Sequence, residues 1–473
     1  MSDDTTLDEF VETQDSKRDD SDETGIKSDE THPRFGKLPP EWSINEIADI
    51  AEVVGGSTPS TDNDDYWGGG IPWATPTDIT ALSGNTISET ADTITEEGLE
   101  SASTHLLPSY SVLMTSRASI GKCAVNTVEM ATNQGFKNLV PEKEIETWYL
   151  YYRMLETANF LNSVGSGSTF DEISKTEVQS VDIPIPPLSE QRKIATVLYT
   201  IDQAIEKTDE VIDTYEAAQK GILRESISRG VTENGELRPD PDEKPELYSE
   251  TRWGQIPEAW DTEKVSELVV DDRGVTYGIV KAGDHVPGGV PMIRGENYIS
   301  GWEPLSEFFR VSEEIHKEYN RSAVRSGDIL LAVAGANAGA VNIVPEWMPD
   351  EVNISRSTAR ISVDDSDVIP EFMRYVIESP FLRKQIHAWK KGSAQDVLNL
   401  ADVKKFQIPL PSIDEQNRIV SILSNMREGE LKERTIKNQY SRLKRGLQQN
   451  LLSGTVRTTD TNIEVPDEIA QHG

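Results

Sequence analysis

Two long stretches of the chain carry apolar residues at helical spacing. From Ser189 onward, seam positions recur at alternating steps of four and three residues, as in a coiled coil: Ile194, Leu198, Ile201, Ile205, Thr208, Ile212, Tyr215 and Ile222. Ser189 with Glu190 close behind is typical of a helix start. The pattern predicts a helix that ends near Arg229 and is roughly 60 Å long. A second long helix is predicted from about Asp414 to Leu452.

The segment that leads into each predicted helix occurs twice. PIPPLSEQ at 184–191 returns as PLPSIDEQ at 409–416, which is 225 residues further along. The entry FGKLP at 35–39 with Trp42 likewise returns as WGQIP at 253–257 with Trp260. Solenoid repeats are only about 20–50 residues long. The repeat therefore indicates a tandem duplication of one domain-plus-helix unit.

These patterns divide the chain into segments with different predicted structures. Short apolar runs between turn clusters predict mixed α/β domains of short strands and helices. The tail at the start of the chain is acidic and almost free of large apolar residues, so it cannot offset its chain entropy by burial. The predicted segments are a disordered acidic tail 1–33, a first domain 34–188, a first long helix 189–229, a proline-containing linker 230–252, a second domain 253–411, a second long helix 412–453 and a polar tail 454–473.

The two long helices carry opposite charge near their middles. Residues 202–216 contain six acids and one base, whereas residues 427–445 contain seven bases and three acids. An antiparallel pairing places acid opposite base, which favours this partner and register over self-association. Two solvated helical faces are the alternative. Because exposed ion pairs contribute little individually, the apolar seam is expected to supply most of the stability.

The composition limits the class of protein and its environment. The formal net charge is −36, with 82 Asp and Glu against 46 Lys and Arg, which by itself argues against a nucleic-acid partner. Adaptation to multimolar salt is a second interpretation, because at about 1 M salt the Debye length is only about 3 Å. The single cysteine, the scattered histidines and the lack of a long apolar run argue against disulfides, a metal site and a membrane span. The sequence therefore predicts a soluble, cytoplasmic protein without a metal.

The repeated motifs resemble those of the specificity subunit of type I restriction-modification systems. The matching segments are IPIPPLSEQRKIATVL at 183–198 and IPLPSIDEQNRIVSIL at 408–423, and the similarity covers nearly everything from Phe35 to Val456. The resemblance implies an α+β fold class: two similar mixed α/β target-recognition domains joined by two long antiparallel coiled-coil helices in a pseudo-twofold arrangement. It also implies that each domain reads one half of a split, asymmetric site in double-stranded DNA.

The same resemblance implies partners and a lack of intrinsic catalysis. Such a subunit binds two methyltransferase subunits, is completed by translocating nuclease subunits, is monomeric within that hetero-oligomer and needs no cofactor of its own. The sequence agrees, because it contains no Asn/Asp-Pro-Pro-Tyr/Phe methyltransferase motif and no complete phosphate-binding loop. A duplicated coiled-coil scaffold that binds proteins, favoured by the charge, and a methyltransferase fused to recognition domains, disfavoured by the missing motif, are the alternatives.

Basic residues near predicted turns are the candidates for DNA contact, because base edges and phosphates are bound by Arg, Lys, Asn and Gln. A solvated or salt-bridged surface base is the alternative for each single residue. The candidates are Arg117, Lys122 and Lys137 in the first domain, and Arg294, Arg356, Arg360, Lys390 and Lys391 in the second. Thr75 aligns with Arg294 and Gln134 with Arg356. These mismatches predict two different half-sites.

The Glu-Gln pairs of the repeated motif are expected to act at the domain–helix junctions. Glu190-Gln191 and Glu415-Gln416 lie near helix starts, where the helix dipole stabilises an acidic residue. The resemblance adds that these junctions form part of the methyltransferase-binding surface. The two roles are compatible.

Overall fold

The computed structural model describes residues 31–102, 104–117, 119–165, 172–389 and 397–470. Two long helices, Leu188–Arg229 and Ile413–Leu452, run through it. The chain forms two compact units, Met1–Asp209 with Ile436–Gly473, and Glu210–Thr435. Both unit boundaries fall inside the long helices. Each unit therefore contains one domain, the first half of the helix that follows it and the second half of the other helix.

The domain of the first unit is built from short strands and short helices. Its strands are β1 Ser43–Glu46, β2 Ala51–Gly55, β3 Trp67–Ala74, β4 Thr86–Ile87, β5 Asp92–Ile94, β6 Val112–Met114, β7 Cys123–Asn126, β8 Ala131–Thr132, β9 Lys137–Pro141 and β10 Asp182–Ile185. Its helices are α1 Pro76–Ala81, α2 Glu96–Ser101, α3 Thr147–Gly165 and α4 Lys175–Gln179. The long helix Leu188–Arg229 is α5.

Three sheets organise this domain. The strand orders are β2-β9-β6-β7-β4, β5-β3-β8 and the pair β1-β10. In the pair, Ser43 lies opposite Ile185 and Glu46 opposite Asp182, so the start of the domain is hydrogen-bonded to the strand that leads into α5. Pro184 is tolerated there because a two-stranded sheet has free edges.

The second unit repeats this set of elements. Its strands are β11 Tyr248–Thr251, β12 Gly254–Pro257, β13 Asp261–Lys264, β14 Val275–Tyr277, β15 Val290–Ile293, β16 Phe309–Val311, β17 Ile329–Ala332, β18 Val341–Ile343, β19 Asn353–Ile354, β20 Thr358–Ile361 and β21 Gln407–Leu410. Its helices are α6 Glu313–Glu318, α7 Pro370–Glu378, α8 Pro380–Trp389, α9 Leu400–Val403 and the start of α10, which is Ile413–Leu452.

The sheets of the second unit have the same connectivity as those of the first. The orders β14-β20-β17-β18, β16-β15-β19 and β13-β21 correspond to β2-β9-β6-β7, β5-β3-β8 and β1-β10. The parallel pair β15-β19 also matches the parallel pair β3-β8. The second unit adds the hairpin β11-β12, and the first adds the edge strand β4. The duplication read from the motifs therefore extends through the domain interiors.

Equivalent residues form the core beneath each domain–helix junction. In the first unit Trp42, Ile183, Ile194 and Leu198 pack in one cluster with Leu451 and Leu452 from the end of α10. In the second unit Trp260, Ile408, Ile419 and Leu423 pack with Ile227 from the end of α5. Burying such side chains stabilises each unit by roughly 1.5–3 kcal/mol per residue. The apolar seam thus holds the end of one helix against the start of the other.

Within each unit the two long helices run antiparallel. In the first unit Lys444 Nζ lies 2.5 Å from Asp202 Oδ1, and one heptad away Lys437 Nζ lies 2.6 Å from Asp209 Oδ1. In the second unit Arg434 Nη2 lies 2.6 Å from Glu216 Oε1. The acidic stretch of α5 therefore faces the basic stretch of α10, as the charge pattern predicted.

The segments after the long helices are more structured than the sequence indicated. The region predicted as a linker contains β11, and the region predicted as a polar tail contains α11, Asp467–Ala470, whose Ile469 is fully buried in the core of the first unit. Of the predicted disordered tail 1–33, residues 1–30 lie outside the described residues. In the described part, His32 Nε2 lies 3.6 Å from Asp182 Oδ2.

Candidate functional site

The glutamate of the first motif binds two other segments of the first unit to the start of α5. Glu190 is 1% exposed and accepts a hydrogen bond from Trp42 Nε1 at 3.1 Å. It also accepts hydrogen bonds from Arg457 Nε and Nη2 at 2.8 and 2.9 Å, and from the Thr458 amide at 3.3 Å. The start of the domain, the start of α5 and the segment after α10 are therefore joined at one carboxylate, which we call the first clamp.

The second unit contains the same arrangement, the second clamp. Glu415 is 4% exposed and accepts a hydrogen bond from Trp260 Nε1 at 3.1 Å. Arg238 forms a two-nitrogen pair with it, with Nη2 at 2.9 Å from Oε2, and the Val231 amide donates to Oε1 at 2.8 Å. Arg238 and Val231 follow α5, just as Arg457 and Thr458 follow α10. Paired, charge-assisted hydrogen bonds of this kind are among the strongest in proteins.

The glutamines of the motif fasten the loops that precede the helices. Gln191 Oε1 accepts from the Glu146 amide at 2.9 Å, and Nε2 donates to the Glu144 and Pro186 carbonyls. Gln416 Oε1 accepts from the Ile369 amide at 2.8 Å, and its Nε2 donates to the Asp367 and Pro411 carbonyls. The two neighbouring residues have different roles. The glutamate carries the negative charge that pairs with arginine, and the glutamine amide both donates and accepts hydrogen bonds.

The clamps place these four side chains inside the units. Glu190, Gln191, Glu415 and Gln416 are all buried, so a methyltransferase surface at the junctions would use exposed neighbours that they position. Their role in partner binding stays a prediction. The two arginines were missed by sequence reasoning because their spacing differs: Arg457 lies five residues after the end of α10, and Arg238 nine residues after the end of α5.

The arginine of each clamp favours the ionised form of its glutamate. Burial alone would raise the pKa of Glu190, but hydrogen bonds from Arg457 and Trp42 lower it below its usual value of 4.5. The pKa of Glu415 is lowered in the same way, against burial, by Arg238 and the Val231 amide. Both carboxylates are therefore held ionised.

Three loops meet at one edge of the first domain, which we call the first three-loop edge (57–58, 74–78 and 133–135). The Ser57 amide donates to the Thr132 carbonyl at 2.9 Å, and the Asn133 amide to the Ala74 carbonyl at 3.0 Å. A Cβ at Gly56 would lie 2.2 Å from the Thr132 carbonyl oxygen, so only glycine allows this approach. The exposed Gln134 is held by the Thr58 hydroxyl.

The second domain forms an equivalent second three-loop edge (279–280, 293–297 and 355–357). Here the Ile279 amide donates to the Ile354 carbonyl at 2.8 Å, and the Ser355 amide to the Ile293 carbonyl at 2.9 Å. A Cβ at Gly278 would lie 1.7 Å from the Ile354 carbonyl oxygen. The backbone frame is shared, but the side chains on it differ.

The loops 74–78 and 293–297 show how the side chains on the two edges come to differ. The Thr75 amide donates to Asp78 at 2.8 Å, and the Arg294 amide donates to Asn297 at 2.7 Å. The same cap therefore presents threonine in one domain and arginine in the other. The Arg294 guanidinium lies 3.9 Å from the centre of the Phe309 ring, with Nη1 3.6 Å from Glu296. Arg356, in the neighbouring loop, is exposed.

Two of the three predicted basic residues of the first domain, Arg117 and Lys137, lie beside its three-loop edge. Arg117 Nε is 2.9 Å and Lys137 Nζ 3.3 Å from opposite oxygens of Glu172. Partial burial would raise the pKa of Glu172, but hydrogen bonds from these two bases lower it. The Ser116 amide donates to the Gly135 carbonyl at 2.7 Å, which ties this group to the edge. Lys122 is exposed on the hairpin between β6 and β7.

One candidate of the second domain is corrected by its burial. Arg360 is 1% exposed and donates to the carbonyls of Arg321, Ala323 and Arg273 at 2.6–2.8 Å. Burial and the nearby Arg273 charge lower its pKa to about 10. A guanidinium enclosed by backbone carbonyls cannot reach a DNA groove, so Arg360 is a structural residue. Lys390 and Lys391 lie outside the described residues.

A model of the family "Type I restriction modification DNA specificity domain" matches residues 39–213 and again 257–440. The chain belongs to this family. Its members are the non-catalytic specificity subunits of type I restriction enzymes. The two matches coincide with the two domain-plus-helix repeats, which accounts for the duplicated motif.

Relatives agree with this assignment, and a solved structure shares the fold. The MjaIX specificity subunit of Methanocaldococcus jannaschii is 31% identical over 80% of this chain and 84% of its own length. The EcoBI specificity subunit of Escherichia coli is 29% identical over 70% of each chain. The S subunit from M. genitalium has a TM-score of 0.52 at 11% identity, covering 89% of this chain and 97% of its own. The fold class predicted from the sequence, with repeated mixed α/β domains and long helices, is confirmed.

No cluster of three or more His, Cys, Asp or Glu side chains suited to a metal ion occurs in the part of the chain that the structure describes. No helix among these residues has the length and apolar character needed to cross a membrane.

Proposed function

We propose that the chain recognises a bipartite, asymmetric site in double-stranded DNA and directs methyltransferase and nuclease subunits to it. The observation that carries the proposal is the pair of three-loop edges. One backbone frame is built twice within a family of DNA specificity domains, with different side chains on it. Loops on a rigid scaffold are where recognition residues are commonly placed.

The two edges share a backbone frame but differ in the charge of the side chains on it. The first presents Gln134 and Thr75, and the second presents Arg356 and Arg294. Arginine favours the O6 and N7 acceptors of guanine, whereas glutamine favours adenine. Equivalent positions with different preferences imply different half-sites, so the bound sequence is not an inverted repeat.

The long helices are proposed to set the gap between the half-sites and to hold the partner subunits. Each long helix has one half in each compact unit. Its length is therefore proposed to set the gap between the two half-sites. The subunit would be monomeric, with two methyltransferase subunits bound near the two clamps and nuclease subunits completing a cytoplasmic complex. A solved structure that bears on complex assembly of the type I restriction-modification system covers 89% of this chain, with a TM-score of 0.50 and 18% identity.

The acidic composition is proposed to reflect a salt-rich environment. With a net charge of −36, long-range repulsion from DNA would be strong at low ionic strength. At about 1 M salt the Debye length is about 3 Å, and only groups in direct contact interact appreciably. Recognition would then rest on local contacts at the two edges.

Co-purification followed by binding-site selection tests this function. The chain, co-expressed with a type I methyltransferase subunit from the same organism, is expected to form a complex that selects two different short sequences separated by a fixed gap. Selection of a perfect inverted repeat would contradict the asymmetry. A stable complex that selects no sequence, in salt where the protein is folded, would favour the protein-binding scaffold instead.

Arg356→Ala and Gln134→Ala form a matched pair for assigning the half-sites. Each is expected to weaken binding by about 1–3 kcal/mol and to relax the base preference at one position. Because the residues lie on different edges, Arg356→Ala should relax one half-site and Gln134→Ala the other. The measurement is selection with each variant complex. Relaxation of the same position by both variants would refute the assignment of one edge to each half-site.

A further inference from the structure

Helix α8 in the second unit carries basic residues along its exposed face. Arg383, Lys384 and His387 are exposed, whereas Phe381, Leu382 and Ile386 on the same helix are buried in the core. Helical spacing brings residues i and i+4 onto one face, so Arg383 and His387 point the same way. In a chain with a net charge of −36, such a grouping stands out. We call these three residues the α8 patch.

The α8 patch borders a shallow hollow in the surface. The hollow has a volume of about 590 Å³ and is lined by the three basic residues together with Ala338, Pro380 and Ile386. Among the described residues that line it there is no carboxylate. Lys384 also borders a neighbouring depression that contains Asp240 and Asp242. The hollow itself is therefore a positively charged depression large enough for a phosphate and its sugar.

The hairpin between β17 and β18 connects the α8 patch with the second three-loop edge. At one end of the hairpin the Val333 amide donates to the Ser357 carbonyl at 2.8 Å, and residues 355–357 belong to that edge. At its other end, a Cβ built on Gly339 would lie 2.9 Å from Arg383 Nη1. The patch and the edge therefore flank a single hairpin, so a ligand on the edge that extends over the hairpin reaches the patch.

The first domain has a different residue where its hairpin meets the helix. In the second domain Arg383 lies against Gly339 of the β17–β18 hairpin. In the first domain Ala158 of α3 lies against Gly121 of the β6–β7 hairpin, since a Cβ built on Gly121 would lie 2.6 Å from the Ala158 Cβ. An uncharged side chain in one copy thus stands where the other copy has Arg383.

We propose that the α8 patch binds backbone phosphates of duplex DNA held at the second three-loop edge, without reading its sequence. The inference rests on the proposed function, because it takes DNA to lie on that edge. Guanidinium and ammonium groups bind phosphate oxygens through charge-assisted hydrogen bonds. Such contacts supply register and affinity, while base contacts supply specificity.

The test is the salt dependence of binding by the assembled complex carrying Arg383→Ala with Lys384→Ala. Affinities for a duplex with the selected site and for an unrelated duplex are measured over the salt range in which the protein stays folded. The slope of log affinity against log salt is expected to fall by about two. Both affinities should fall by the same factor, so that their ratio is unchanged.

Lys264→Ala with Lys405→Ala is the matched control, because both lysines are exposed but paired with Glu267 and Asp402. This variant loses the same charge and should keep the wild-type slope. An unchanged slope in the α8 variant, or loss of methyltransferase co-purification in place of a changed slope, would overturn the inference and assign the patch to a protein partner. If the wild-type complex selected no site, the proposed function would be contradicted. The inference about the α8 patch would still be tested by the slope of log affinity against log salt on the unrelated duplex.

Discussion

Glu190→Ala is expected to lower the free energy of unfolding of the first unit by about 3 kcal/mol, in the range found when one partner of a buried ion pair is removed. The substitution leaves the Trp42 indole N–H and the Thr458 amide without their acceptor and releases Arg457, whose side chain is 27% exposed. Hydrogen exchange on the whole chain is the measurement. Amides of the first unit should exchange faster while those of the second unit stay as in the wild type.

Two variants make this result specific. Glu415→Ala removes the equivalent carboxylate and should produce the mirror pattern, with faster exchange confined to the second unit. Glu41→Ala removes a second, largely exposed partner of Arg457 and should leave exchange unchanged, because exposed pairs contribute little. If Glu190→Ala resembled Glu41→Ala, the clamp would have no structural role.

The dependence of stability on pH separates charge from packing in the same clamp. The pKa of Glu190 is lower in the folded chain than its usual value of 4.5, so the ionised form stabilises the fold at pH values above that value. This contribution is lost as the pH falls from about 4.5 through the folded-state pKa. Glu190→Gln should therefore unfold with a smaller dependence on pH in this range than the wild type.

The periodic and repeated parts of the sequence predicted the frame of the molecule. The seam of Ile194 and Leu198 and the opposite charges of the two helices were sufficient to predict antiparallel pairing, because each depends only on local spacing. The structure pairs Asp202 with Lys444 and Asp209 with Lys437. The repeated Pro-rich strand followed by Glu-Gln similarly predicted two junctions.

The individual roles of charged residues could not be read from the sequence, because they depend on burial and on distant partners. Arg360 and Arg356 lie four residues apart, yet one is enclosed by carbonyls and the other is exposed. Arg457 lies 267 residues from Glu190 in the chain, with no spacing shared with Arg238. Only the folded chain shows that these two arginines are equivalent.

The position of Arg457 gives the end of the chain a role in the first domain. Residues after α10 bind the start of α5 through Lys193, whose Nζ donates to the carbonyls of Thr458, Thr459 and Thr461 at 2.8–3.2 Å. Ile469 is fully buried in the same core, which contributes roughly 1.5–3 kcal/mol. In the second unit the equivalent contacts come from the segment after α5, where Arg238 and the Val231 amide bind Glu415. The described residues from Arg457 to Ile469 therefore belong structurally to the first domain.

A chain that ends at Gly454 is therefore expected to lose recognition of one half-site while retaining the other. Removing residues 455–473 deletes Arg457, the Lys193 acceptors and Ile469 together, so the first unit should lose more stability than in Glu190→Ala. Footprinting of the assembled complex should show protection only at the half-site that Arg356→Ala relaxes. A synthetic peptide of residues 455–470, added in trans, should restore the missing half. Wild-type protection of both half-sites by the shortened chain would show that the first domain does not depend on the segment that completes its clamp.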